Sequence, residues 1–226
     1  MHRKQAITAG VLYLITHVTS IAAVVLYGGF LDDPLGAGGD TRVLIGGLCD
    51  VLLAISVVGT AVALYPVVKR HGEGLAIGYV GLRTLEAAVI VAGVVALLAV
   101  VTLRQDGVAT APVAEGLVAV RDCTFLVGPG LVCGTNTVVM AALMYRSRLV
   151  PRFIAVLGLV GGPLVFGWNL LSMFGGTELF SAVAVLFVAP VFAWEICLAV
   201  YLIAKGFRST VVPPVRVPEP EPVAVG

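Results

Sequence analysis

The stretch LAIGYVGLRTLEAAVIVAGVVALLAVVTL, residues 75–103, decides the fold. It is long enough to cross a hydrocarbon core about 30 Å thick, which takes roughly 20 apolar residues of helix. Yet it places Arg83 and Glu86 three residues apart near its middle. A charged side chain at that depth costs about 2.5–3.5 kcal/mol on insertion scales. Residues so placed therefore face the interior of a helix bundle and a partner, not lipid.

The rest of the chain is of the same kind. Its 226 residues are 59% hydrophobic and 12% charged, against about 25% charged in soluble domains. Spans are expected at about 6–30, 43–68, 75–103, 116–145, 152–174 and 178–205. Breaker-rich linkers separate them: DDPLGAGGD, KRHGEG, RQDGVATAP, RSRLVP and GGTE. The first apolar run, Ala6 to Phe30, exceeds the 7–15-residue core of a signal peptide and reads as a retained span. The expected fold is all-α: a polytopic membrane protein with six transmembrane helices in one bundle over residues 1–208. A proline-rich tail, 209–226, is expected to be disordered.

Basic residues set the expected orientation. Arg3 and Lys4, Lys69 and Arg70, Arg146, Arg148 and Arg152, and Lys205, Arg208 and Arg216 fall on one side, against Arg42 and Arg104 on the other. The positive-inside rule then places both termini in the cytoplasm of a plasma-membrane protein, which an even number of spans allows. Pro66, Pro129, Pro163 and Pro190 lie within spans. Kinks tolerated by close helix packing are the simpler reading, and a broken helix lining a cavity the alternative.

At 1.5 Å per residue, His17, Glu86 and Glu195 fall within about 5 Å of mid-membrane, with Arg83 one turn toward the terminal side. Asp50 lies roughly 7 Å toward the other side, level with Trp168 and Asn169. Asn136 is in the half nearer the termini, and Arg121 and Asp122 are near the opposite surface. Arg83 and Glu86 share a face at i, i+3. One arginine cannot neutralise Asp50, Glu86 and Glu195, so a carboxyl is protonated or paired with His17. Glu86, Asp50, Glu195, Arg83 and His17 are the candidate catalytic residues; Trp168, Asn169, Asn136, Phe192 and Tyr79 are candidate substrate contacts. A salt-bridge network that only fixes helix packing is the competing reading, and His17 alone is as well explained as a hydrogen-bonded core residue.

The segments GLRTLEAAVIVAG, YRSRLVPRFIAVLGLVGGP and WEICLAVYLIAKG together resemble a bacterial family of integral membrane proteins known as domain of unknown function 4386. The likeness runs from Ala9 to Gly206 and implies a multi-span helical protein, with no activity attached. Its motifs carry Arg83, Glu86, Tyr145, Arg146, Ser147, Pro151 and Glu195. A looser likeness, of size and type, is to small bacterial membrane terpene cyclases, in which buried carboxylates start cyclisation by protonation.

The expected function is acid–base chemistry within the membrane on a lipophilic, isoprenoid-type substrate, most concretely proton-initiated terpene cyclisation. A proton-coupled carrier and a non-catalytic structural or regulatory protein are the alternatives. The lipid bilayer and a lipophilic small molecule are the expected partners, and the composition leaves room for an oligomer. Net charge +1 without a basic stripe argues against nucleic acid. No G-x-S-x-G, H-E-x-x-H or P-loop pattern occurs, and no metal or other cofactor is implied. Cys49, Cys123, Cys133 and Cys197 form no C-x-x-C pair and read as small buried hydrophobes.

Overall fold

A computed structural model describes residues 2–36, 38–177, 179 and 181–208. The helices are α1 (His2–Asp32), α2 (Asp40–Val68), α3 (Glu73–Gln105), α4 (Ala111–Phe125), α5 (Cys133–Ser147), α6 (Arg152–Met173) and α7 (Ala184–Ala204). A 3₁₀ turn, Lys69–His71, closes α2, and a π-helical segment, Leu126–Val132, joins α4 to α5 into one continuous span. Among the described residues six helices are thus long and apolar enough to cross a membrane. The chain is a multi-pass helical membrane protein. The expected tail, 209–226, lies outside the described residues, as does residue 178, where the last span was expected to begin. Residues 181–183 are not helical, and the last helix starts at Ala184.

Local chemistry sets the helix ends. Pro112 occupies the first turn of α4, where its missing N–H is no loss. The α5 helix stops at Arg148, in the left-handed region with φ 56°, and Pro151 opens α6. Arg104 closes the first linker: it donates to Pro34 O at 3.2 Å and Gly36 O at 2.6 Å and pairs with Asp40. Arg3 donates to Ile203 O at 2.7 Å, supplying a cation to the unsatisfied carbonyls at the end of α7.

The helices form a ring: α3, α2, α1, α7, α6, and then α5 returning to α3. The end of the bundle that carries both termini is filled by a core in which Tyr13, Leu64, Tyr79, Met140, Met144, Ile154, Trp194, Leu198 and Leu202 are fully buried. At the opposite end a smaller core joins α1 to α4 through Ala23, Tyr27, Phe30, Val43, Leu97, Val100, Val101 and Ala114. It takes nothing from α6 or α7. The α4 helix packs on α3, and no substantial contact joins it to α6 or α7. Among the described residues the ring is closed near the termini, while at the far end α4 makes no substantial contact with the helices α6 and α7.

Contact among α5, α6 and α7 depends on missing side chains. Gly134 and Gly162 oppose each other, and a Cβ on Gly162 would lie 2.7 Å from the Gly134 carbonyl oxygen. A Cβ on Gly161 would lie 2.7 Å from the backbone nitrogen of Val191. Small residues admit close helix approach where lipid gives no hydrophobic drive for association. Gly161→Leu is expected to lower stability by about 1–3 kcal/mol through overpacking against backbone. Gly167→Ala, with open space around its Cβ, is expected to leave the melting temperature of purified protein in nanodiscs unchanged.

Candidate functional site

Helical spacing on α3 aligns Tyr79, Arg83 and Glu86 on the buried face. Arg83 is the hub. Its Nη1 donates to Glu86 Oε2 at 3.1 Å, its Nη2 to Glu195 Oε1 on α7 at 2.8 Å, and its Nε to the Tyr79 hydroxyl at 3.0 Å. The guanidinium also lies 5.4 Å from the Tyr13 ring centroid and 5.6 Å from that of Tyr79, within cation–π range. Behind it the Tyr13 and Tyr79 hydroxyls meet at 2.8 Å. Asn136 on α5 donates to the same Glu86 oxygen at 2.6 Å. All three guanidinium nitrogens are occupied, which offsets the cost of placing a cation at this depth.

His17 is oriented by its own helix. Its Nδ1 lies 2.8 Å from the Tyr13 carbonyl oxygen. A carbonyl can only accept, so Nδ1 carries hydrogen, and in the neutral ring Nε2 is the acceptor. Nε2 faces Glu195 Oε2 at 3.6 Å, an ion-pair distance beyond a direct hydrogen bond. Arg83 balances one of its two carboxylates.

Asp50 stands apart. Its Oδ2 accepts from the Tyr27 hydroxyl at 2.9 Å. Arg121 lies over the rings of Tyr27 and Phe125, at 5.5 and 5.1 Å, and donates to Asp122. This second polar group lies in the half of the bundle away from the termini.

A cavity of about 250 Å³ joins the two groups. All six spans contribute to its wall: His17, Asp50, Arg83 and Glu86, Arg121 and Phe125, Trp168 and Asn169, Phe192 and Glu195. It is neither sealed nor a surface groove. The core around Trp194 closes it toward the termini. Its remaining walls come from the far halves of the helices, where α4 parts from α6 and α7. Pro129 and Gly130 of the π-helical segment form part of that wall, and Asn169 lies so close over Gly130 that a side chain there would collide with its amide.

The structure brings His17, Arg83, Glu86 and Glu195 together and leaves Asp50 across the cavity on its own partner. Trp168, Asn169 and Phe192 line the cavity, and the Phe192 ring meets His17 edge-on at 4.5 Å. Tyr79 and Asn136 were expected to touch substrate. They stand behind the wall instead, holding Arg83 and Glu86. Tyr13 and Tyr27 were not singled out, because buried tyrosine in an apolar helix reads as packing until its hydroxyl partner is known. Among the described residues no group of three or more His, Cys, Asp or Glu is placed to hold a metal ion. Of the four free cysteines Cys133 lines the cavity, and Cys123 is exposed instead of buried.

The profile of one family, Domain of unknown function (DUF4386), matches residues 8–206. The chain belongs to this family. No curated protein and no solved structure matches it.

Removing the hub leaves two buried carboxylates without their cation. Arg83→Gln is expected to cost about 3–5 kcal/mol of stability. Adding Glu86→Gln to that variant is expected to restore part of the loss, read as the melting temperature of the double variant above that of Arg83→Gln alone.

Proposed function

We propose that the protein carries out acid–base chemistry inside the membrane on a lipophilic substrate, with the His17–Glu195 pair as the proton store. One observation carries this reading: the buried His17–Glu195 contact, 3.6 Å apart, borders empty, largely apolar space. A network serving only to fix helix packing would leave no such space beside its charges. The most concrete form is proton-initiated cyclisation of an isoprenoid. A proton carried by Glu195 passes to an alkene carbon, the π electrons forming the new C–H bond and the O–H pair staying on the carboxylate. The resulting cation is attacked by a second alkene, closing a C–C bond. A proton from a neighbouring carbon then returns to a carboxylate, so the sequence is a net isomerisation needing no co-reactant. Aromatic faces of Phe125, Trp168 and Phe192 favour the cationic stage, and exclusion of water protects it. Asp50, free of Arg83, is the second candidate acid.

A proton-coupled carrier is the other reading, favoured by the cavity being open rather than sealed. Both readings share an orientation: basic loops and termini in the cytoplasm of a plasma-membrane protein, the cavity opening away from them. A reporter active only in the cytoplasm is expected to work when fused after Arg208 and to fail when inserted in the linker near Asp33.

General acid–base catalysis contributes about 10²–10⁴-fold. Glu195→Gln is expected to lower turnover of prenyl substrates by that range while the protein remains folded. Unchanged product formation in each of Glu195→Gln, Asp50→Asn and Glu86→Gln would reject the enzymatic reading.

A further inference from the structure

Polar side chains around the cavity mostly serve the bundle. Arg83 spends its nitrogens on Tyr79, Glu86 and Glu195, and Asn136 reaches across from α5 to Glu86. Arg121 donates to Asp122 and lies over the rings of Tyr27 and Phe125. Asn169 differs. It is 5% exposed and lines the cavity from α6. Its amide nitrogen donates to Val165 O, at 2.8 Å on the same helix. A carbonyl only accepts, so the nitrogen and not the oxygen occupies that position, and Oδ1 is turned away from the α6 backbone. That oxygen accepts no hydrogen bond from a described residue. Asparagine in a membrane helix commonly bonds across to a neighbouring helix, and Asn169 makes no such bond among the described residues. Val165 O is already the acceptor for the helical bond one turn on, so the side chain is not needed there either.

The fold makes room for this amide. The π-helical segment brings Gly130 against it, where a Cβ would collide with Oδ1. The other lining groups supply it no donor. Thr16, Ser20 and Thr124 each donate to the carbonyl three residues earlier on their own helix. The Trp168 indole N–H, without an acceptor among the described residues, is buried within the wall. Asp50, level with Asn169, adds a second acceptor: Oδ2 takes the Tyr27 hydroxyl and Oδ1 accepts from no described residue.

We propose that Asn169 Oδ1 accepts a hydrogen bond from a hydroxyl on the substrate, so that the chamber takes an isoprenoid alcohol in preference to a hydrocarbon or an ether. The inference rests on the acid–base reading for the isoprenoid chain; the hydroxyl comes from the wall itself. The hydroxyl sits in the half of the cavity away from the termini, and the chain runs past Trp168 and Phe192 toward Glu195 near mid-membrane. The amide does not titrate, so its sense as an acceptor is independent of the protonation of the carboxyl groups. An alcohol reproduces the hydrogen bond that water gives an amide oxygen, whereas an ether brings only another acceptor. Asn169 is thereby a specificity residue, set apart from the acid that starts the reaction.

The test uses the full chain in phosphatidylcholine nanodiscs, titrated calorimetrically with geraniol and with geranyl methyl ether, empty nanodiscs giving the partitioning of each. Saturable binding of geraniol above that baseline is expected, with the ether bound about 10–100-fold more weakly. Asn169→Leu is expected to bring the two affinities together. Gly130→Ala, whose methyl displaces the Asn169 amide, is expected to narrow the difference, and Gly167→Ala, on the open side of the same helix, to leave it unchanged. Equal affinities in the unaltered protein, or geraniol uptake no greater than into empty nanodiscs, would overturn the proposal. So would a preference for the alcohol that survives in folded Asn169→Leu. The bond lost in that variant lies within α6, so folding is expected; where it fails, an undiminished preference in Gly130→Ala counts against the proposal in its place. Prenyl turnover that depends on Glu195 but treats alcohol and ether alike would sink this inference and leave the acid–base reading standing. Alcohol-selective binding with no turnover would do the reverse.

Discussion

The structure depends on one cation held at a depth where lipid cannot stabilise it. Arg83 reaches Glu86 on its own helix and Glu195 on α7, and the Tyr13–Tyr79 pair ties it to α1. These are three of the helices that must converge for a cavity to exist. Hydrophobic burial cannot select that arrangement, because lipid tails are as apolar as the side chains they would replace. Hydrogen bonding can, since a guanidinium with an empty fork in hydrocarbon is far more costly than one with its fork filled. The choice of arginine matters too. Its planar donors reach two carboxylates and a phenol at once, which the single ammonium of lysine does not do.

Filling the guanidinium determines what the remaining groups can do. Glu86 receives two donors on one oxygen and is the more tightly held carboxylate. Glu195 receives one and turns its other oxygen to His17. The histidine is fixed by the Tyr13 carbonyl, so its Nε2 points at a carboxylate oxygen and not at its own helix. The residues that restrain Arg83 therefore also set which carboxylate oxygen faces the histidine.

Much of this was legible from residue order. The spans follow from length and hydropathy, and the i, i+3 relation of Arg83 and Glu86 from helical spacing. Counting depth along each helix brought His17 and Glu195 to the same level. Depth alone gives no azimuth: Asp50 lies on the cavity with Trp168 and Asn169, but its partner is Tyr27 and not Arg83. Tyr79 and Asn136 were at the right level and stand one layer too far back. The π-helical segment has no sequence period to betray it. Pro129 between two glycines marks only that something irregular is allowed there. Arg121 lies near the membrane surface by its depth, yet it is buried, over Tyr27 and Phe125.

The asymmetry of the bundle bears on which chemistry suits it. Toward the termini the chamber is backed by a core of fully buried large side chains, Trp194, Met140, Met144, Leu198 and Leu202 among them. Opening a path there means separating α5, α6 and α7, whose backbones touch at Gly134, Gly162 and Gly161 with no side chain between them. Packed cores are bistable only where two arrangements fit equally well. A contact made by glycine against backbone has no second arrangement of comparable closeness. On the opposite side, among the described residues, α4 makes no substantial contact with α6 or α7, and the π-helical segment is a place where the helix already departs from regular hydrogen bonding. Alternating access requires both ends to move, whereas a catalyst needs only one route in and out. A chamber with one rigid end and one looser end admits and releases a molecule by the same route, which suits the proposed chemistry better than it suits a carrier.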